Sequence, residues 1–276
     1  MMLRTVLALW AVLSLYPVAA TSAEATALEP LPSWQKLEFE LRALWVTARS
    51  SISLNACSEQ YWCMQSSSSV AKSSEQLSMQ FVPANGALTT RKRLSRGKQQ
   101  RLKQWDYSSV GVVRERRSAD APSTADPADW PLTSRREIPY PPDTAVVTDS
   151  HLLLLLAAPA RTNGAGPRQI VVNTDKNFYQ VEISDGGQQT IQVSYQVAGT
   201  EQPVETERTV RIVEIVAKPI GVALEKPDFS LLGLTGKISI AYDQESDLPL
   251  QLRGKAPRIG NTEIALKFMQ PRVPRP

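Results

Sequence analysis

Histidine is nearly missing from this 276-residue chain, where His151 is the only one. Zinc and non-haem iron centres most often use two or three imidazoles, so those arrangements cannot be assembled here. Cysteine is almost as scarce, with Cys57 and Cys63 the whole supply. Their spacing is not Cys-x-x-Cys, and two thiolates far from the one imidazole do not complete a metal site. No phosphate-binding glycine loop, dinucleotide fingerprint or Gly-x-Ser-x-Gly elbow occurs. Charge of one sign is not in large excess either, since 31 basic against 27 acidic residues leave only +4. No cofactor is implied by any of these patterns.

What is present is a hydrophobic content of 42%, enough for an ordinary core, and 20 prolines, which argue against an all-helical chain. The first residues read as a secretory signal over 1–23. Arg4 precedes an apolar stretch from Thr5 to about Tyr16, then Pro17 and the small run Val18 to Ala23, with cleavage after Ala20 or Ala23. That stretch is shorter than the roughly 20 residues of a spanning helix and nothing comparable follows, so no membrane segment is expected in the mature chain. No cysteine stands at the cleavage point to carry a lipid. In an exported chain an even cysteine count favours a structural disulfide, Cys57 to Cys63, contributing roughly 2 to 3 kcal/mol for so short a loop.

After a linker over 24–35, a period of two dominates. Leu37, Phe39 and Leu41 alternate with Glu38, Glu40 and Arg42, the mark of a strand with one dry face. Further strands are expected over 43–54, 61–67, 76–82, 87–94, 99–107 and 110–116, with turns at Asn85-Gly86 and Arg96-Gly97. Residues 118–143 hold six prolines and read as a long connection without a ladder. Thr144 to Ala158, with the run Leu152 to Leu156, is the best helix candidate. Strands resume over 169–172, 178–183, 190–197, 209–216, 237–242, 248–252 and 262–268. Asp185-Gly186-Gly187 is placed as a hairpin turn, and a phase change between Ile212 and Val213 predicts a bulge in the 209–216 strand. The tail over 270–276 is expected to be disordered. The fold class is therefore mainly β: one domain over 36–269, a large antiparallel sheet curled into an open barrel or sandwich, with one short central helix.

The order of these features resembles domain of unknown function 3108, a family of bacterial exported envelope proteins. The two-faced strands of 37–54, the basic meander, the proline-rich break and Asp149-Ser150-His151-Leu152 opening an apolar segment all follow that pattern. The closest local match is Asp247-Leu248-Pro249-Leu250-Gln251-Leu252-Arg253-Gly254-Lys255, followed by a last strand at 262–268. The resemblance covers 36–269, and the Cys57 to Cys63 hairpin is not part of it. It implies a β-rich, barrel-like periplasmic fold and brings no catalytic residues.

Between Arg91 and Arg117 lie ten cations, Lys98 among them, against Asp106 and Glu115, a surplus of +8. In a three-stranded meander, spacing of two puts Arg91 with Arg93, Arg101 with Lys103 and Trp105, and Arg114 with Arg116 on single faces that adjoin. In an exported protein such a face suits lipid phosphates or an anionic glycolipid rather than nucleic acid. As a solvated strand face it would instead keep the sheet from pairing with other chains. Leu152 to Leu156 with Phe39, Leu41 and Trp45 either line an apolar cavity or plug the concave side of the sheet. Asp149-Ser150-His151 has the residue types of a hydrolase triad, but neighbours in sequence cannot adopt its geometry, and a helix cap is the stronger reading. Asp243, Glu245 and Asp247 fit a calcium site, paired acids or a polar turn.

These readings lead to a non-catalytic periplasmic protein of envelope biogenesis that binds an apolar or anionic ligand, a lipid or glycolipid. An assembly factor meeting another envelope protein through edge strands is the alternative, and a carboxylate-based enzyme acting on polysaccharide is a third.

Overall fold

The computed structural model describes residues 32–43, 46–97, 99–120, 123–159, 167–221 and 227–273. The signal, most of the linker, Trp45 and Lys98 lie outside them.

Alternating side chains and short turns give eight strands that follow one another as antiparallel hairpins. They are β1 (Trp34–Ala43), β2 (Val46–Ala56), β3 (Trp62–Val70), β4 (Ser73–Phe81), β5 (Leu88–Arg96), β6 (Gln99–Tyr107), β7 (Gly111–Asp120) and β8 (Leu132–Pro139). The chain then enters β9 (Val147–Thr148), a 3-10 turn (Ser150–Leu152) and α1 (Leu153–Leu156). Six more strands follow: β10 (Arg168–Asn173), β11 (Phe178–Val197), β12 (Val204–Pro219), β13 (Thr235–Asp243), β14 (Pro249–Ala256) and β15 (Gly260–Pro271).

All belong to one 15-stranded sheet, ordered β8-β7-β6-β5-β4-β3-β2-β1-β15-β14-β13-β12-β11-β10-β9. The end of β11 also pairs parallel with β15, Gln196 opposite Phe268, which closes β11 to β15 into a ring. The eight-strand meander curls away from this ring. Its far strands come back to face β9 and β11, where Trp105 and Val112 pack with Val147 and Phe178, and the Tyr140 and Phe178 rings meet edge-on at 5.9 Å. The curled, barrel-like sheet expected from the alternation is thus the fold observed.

The main core runs through the concave side. Leu37, Phe39, Leu41, Ile52, Leu54 and Met64 from the meander meet Ile238, Ile240, Leu250, Leu252, Ile264 and Leu266 from the ring. Leu152 to Leu156 are all buried within it, so this run plugs the sheet, as do Phe39 and Leu41. Tyr242 fixes the plug by donating its hydroxyl to the Leu153 and Leu154 carbonyls. Gly86, at φ 75°, sits against it: a Cβ there would stand 2.9 Å from Leu156 Cδ1.

Four local expectations need correction. The 118–143 connection contains β8, which pairs with β7 from Gly111 opposite Pro139 to Arg117 opposite Leu132. β8 is an edge strand with prolines at its ends, so a missing N–H interrupts no second ladder. The helix over 144–158 shrinks to one α turn. Val147 and Thr148, both β-branched, pair in parallel with Val171 and Val172, and the Asp149 carboxylate caps the 3-10 turn by accepting from the His151 N–H at 2.8 Å. Asp185-Gly186-Gly187 is not a turn but a bulge within β11, with Asp185 opposite Val213 and Gln188 opposite Arg211. The extra residue predicted in β12 therefore lies in its partner; Gly187, at φ 87°, has the conformation it requires. Finally, β15 continues to Pro271, opposite Trp34, and Arg272 stacks on Trp62 at 4.5 Å, so the start of the expected disordered tail is held.

Cys57 and Cys63 form a disulfide across the β2–β3 hairpin. Among the described residues no helix is long and apolar enough to cross a membrane.

Candidate binding site

The basic meander folds with Arg91, Trp105 and Arg114 abreast on β5, β6 and β7, and with Arg93, Lys103 and Arg116 abreast one step further along. Cross-strand neighbours share a face, and here that face is the concave one. The cations predicted to adjoin do adjoin, but most lie inside the curl, where the returning strands supply counter-charges.

The deepest layer is dry. Trp105 is fully buried, with the Arg91 guanidinium 3.9 Å above its ring centre and its indole N–H donated to the Asp175 carbonyl at 3.2 Å. Arg91, 3% exposed, donates to Asp149 Oδ2 at 2.7 Å, to the Asn173 carbonyl at 2.8 Å, and to the Thr174 carbonyl. Asp149 also stands 2.8 Å from His151 Nδ1. Burial alone would raise the Asp149 pKa, but His151 and Arg91 hold it well below the usual carboxylate range. Tyr107, pushed up by burial, donates its hydroxyl to Asn173 Oδ1 at 3.0 Å.

The next layer surrounds Asp175, carried by the tight turn from β10 to β11 where the Thr174 N–H reaches the Asn177 carbonyl at 2.9 Å. Its carboxylate takes Arg114 Nε at 2.9 Å and Lys103 Nζ at 2.7 Å, with Arg93 Nη2 at 3.8 Å. Burial would raise its pKa, and Lys103, Arg93 and Arg114 lower it. Burial and the charges of Arg93 and Arg114 bring the Lys103 ammonium down to about 8 in spite of Asp175.

Above these layers lies a recess of about 220 Å³, lined by Arg91, Arg93 and His151 and by four acids, Glu75, Asp149, Asp175 and Asp228, with neighbouring hydroxyls. Arg93 and Glu75 also line an outer groove of about 740 Å³, which runs over Lys103, Arg101 and Arg96 to the β5–β6 turn. Arg101, bonded to Gln99, is exposed there. Arg116 turns aside to the edge strand, where its Nε donates to Thr133 Oγ1 at 3.1 Å.

Of the residues singled out in the sequence, Arg93, Arg101 and Lys103 reach the groove. Arg91, Trp105 and Arg114 form the dry layer beneath it, and Arg116 stands apart. Sequence reasoning missed Asp175, Asn173, Thr174 and Glu75, which carry no motif of their own. Asp149 and His151 were visible as a cap and as the single imidazole, but not as partners of Arg91. Asp243 closes a turn, its carboxylate accepting from the Ser246 N–H at 3.2 Å, while Glu245 is exposed and 3.5 Å from Arg208, so these acids form no paired site.

Fold and site together define a β-barrel-like protein with an ionic recess inside its curl. No family model and no curated protein matches the chain. Among solved structures, a β-barrel-like protein of domain of unknown function DUF1849 from Brucella abortus is similar, with a TM-score of 0.50 and 10% identity over 86% of this chain and 96% of that one. At that identity the likeness speaks for the fold.

Proposed function

We propose that the protein is a non-catalytic periplasmic factor of the envelope, of the domain of unknown function 3108 type, that binds an anionic lipid or glycolipid by its charged headgroup. The observation that carries this reading is the outer groove, where Arg93, Arg96, Arg101 and Lys103 line one wall system against a single acid, Glu75. Such a concentration of one sign raises the local concentration of anions and strengthens where water is partly excluded. The apolar arm of the reading is not favoured, because Leu152 to Leu156 fill the interior in which acyl chains would lie. The ligand is gripped by its charge, with any apolar part outside.

The test is native mass spectrometry of protein isolated gently from an exporting host, beside flotation with vesicles of phosphatidylglycerol in phosphatidylcholine. Bound anionic lipid or glycolipid, with flotation lost in Arg96→Ala/Arg101→Ala and weakened by salt, is the expected result. An apo mass together with no flotation on anionic vesicles at low salt would overturn it.

The assembly-factor reading has one observation in its favour, the eight-residue β8, whose ladder partner is β7 and which is otherwise an edge. Arg135, Arg136 and Glu137 on that strand oppose casual pairing, so a partner there would have to match those charges.

A further inference from the structure

We propose that the group received at the inner end of the groove is a phosphate, held between Arg93 and Lys103. This rests on the anionic-ligand reading and names its chemistry.

Arg93 is held only by long contacts, one of them to the Trp105 ring centre at 5.6 Å. It stands 3.8 Å from Glu75 Oε2 and 3.8 Å from Asp175 Oδ1, beyond hydrogen-bond length, and its buried Nε has no acceptor among the described residues. Both candidate acceptors are engaged elsewhere. Asp175 serves Arg114 and Lys103 at 2.9 and 2.7 Å, and Glu75 Oε2 takes the Ser95 hydroxyl at 3.2 Å. The buried Nε is shut off from an incoming oxygen, but the Nη groups, which make no hydrogen bond among the described residues, line both the recess and the groove and are the donors open to one.

Charge gives the class. Arg93, Lys103 and Arg114 surround Asp175, a local surplus of two that Glu75 at the solvent edge lowers to one and Arg96 and Arg101 further out raise to three, whereas the recess behind is acidic, with Asp149 and Asp228 beside Arg91 and His151. A carboxylate offers two oxygens in one plane. A phosphate presents its oxygens tetrahedrally, which suits a planar fork on one side and a compact ammonium on the other, and it carries one charge as a diester and close to two as a monoester. The small side chains of Ser68 and Ser74 and the turn at Gly97 complete the lining of the groove. Behind the pair, the Arg91 and Trp105 stack closes the way inward, so the rest of the ligand runs outward past Arg96 and Arg101. Lys103 faces Arg93 on β5, Arg114 on β7 and Asp175 on the β10–β11 turn, and an added anion relieves the repulsion among the three cations.

The experiment measures binding of the full mature chain to phosphatidylglycerol vesicles, with vesicles of a sulfated glycolipid as the phosphate-free anion. Arg93→Gln, shown to be folded by its circular dichroism and melting, is expected to bind about tenfold more weakly. Arg93→Lys keeps the charge and loses the fork, and is expected to fall between. Inorganic phosphate or a sugar phosphate that competes with the vesicles identifies a soluble or glycan phosphate as the source. Competition by short-chain phosphatidylglycerol alone identifies the lipid headgroup, and either supports the site. Wild-type affinity in folded Arg93→Gln, with binding lost in Arg96→Ala/Arg101→Ala, would overturn the phosphate site and leave the anionic reading standing. Equal affinity for the sulfated vesicles would overturn phosphate as the class. Failure of wild-type protein to bind any anionic vesicle would overturn both.

Discussion

Asp149 serves three partners at once: the Arg91 guanidinium, the His151 ring and the N–H that starts the turn into the leucine plug. Asp149→Asn leaves Arg91 buried without its counter-charge, and removing one member of a buried pair costs about 3 to 5 kcal/mol. Urea unfolding should show that loss at neutral pH. Because the folded pKa of Asp149 lies below the ordinary value of 3.8, its contribution is present above that value and is lost as pH falls below it. Asp175, also lowered, adds to the same acid sensitivity. Urea midpoints of wild type should therefore fall between pH 5 and acid, and those of Asp149→Asn should fall less. Lys103 runs the other way. Its folded value of about 8 lies below 10.5, so the charged form is disfavoured in the native state, and the native state gains relative stability as pH rises between those values. For binding, the sign is a loss: phosphatidylglycerol keeps its charge from pH 7 to 9 while Lys103 sheds its own. Vesicle affinity should drop across that interval in wild type and stay level in Lys103→Met.

At the scale of elements, the leucine run shows how tertiary demand overrides local preference. Five leucines in succession favour a longer helix, yet the segment forms a 3-10 turn and one α turn, with Val147 and Thr148 just before it drawn into the sheet beside Val171 and Val172. Its worth is in packing. Leu154→Ala should lower unfolding free energy by about 2 to 5 kcal/mol in chemical denaturation, as deletions in a closed core do. The β11–β12 ribbon makes the complementary point: Asp185-Gly186-Gly187, a turn by sequence, is absorbed as a bulge because the ladder on both sides continues and costs less to keep than to break. Strand positions were legible almost throughout, since period-two alternation is imposed by a sheet wet on one side. β8 was hidden because an edge strand with largely exposed side chains, as in Thr133, Arg135, Arg136 and Glu137, has no dry face to alternate with.

For the whole molecule, one sheet both builds the core and wraps the site, so the recess and the fold share their support. The disulfide, on the β2–β3 hairpin, lines neither the recess nor the groove. Cys57→Ser/Cys63→Ser should lower stability by roughly 2 to 3 kcal/mol and leave vesicle binding unchanged, as paired denaturation and flotation measurements would show.

Alternation along the chain is enough for most of the strands and their facing, though not for β8 or β9, and with the cysteine count it gives the disulfide pair and the adjacency of the basic residues, because each depends on neighbours in the chain or on the fixed two-residue repeat of a strand. That these cations face inward, and which of them remain available, is settled by the folded sheet alone. Arg91 meets Asp149 across 58 residues, and Lys103 and Arg114 meet Asp175 across 72 and 61. No local pattern encodes such encounters. They follow from how far the sheet curls, and the curl is set by the packing of all its strands together.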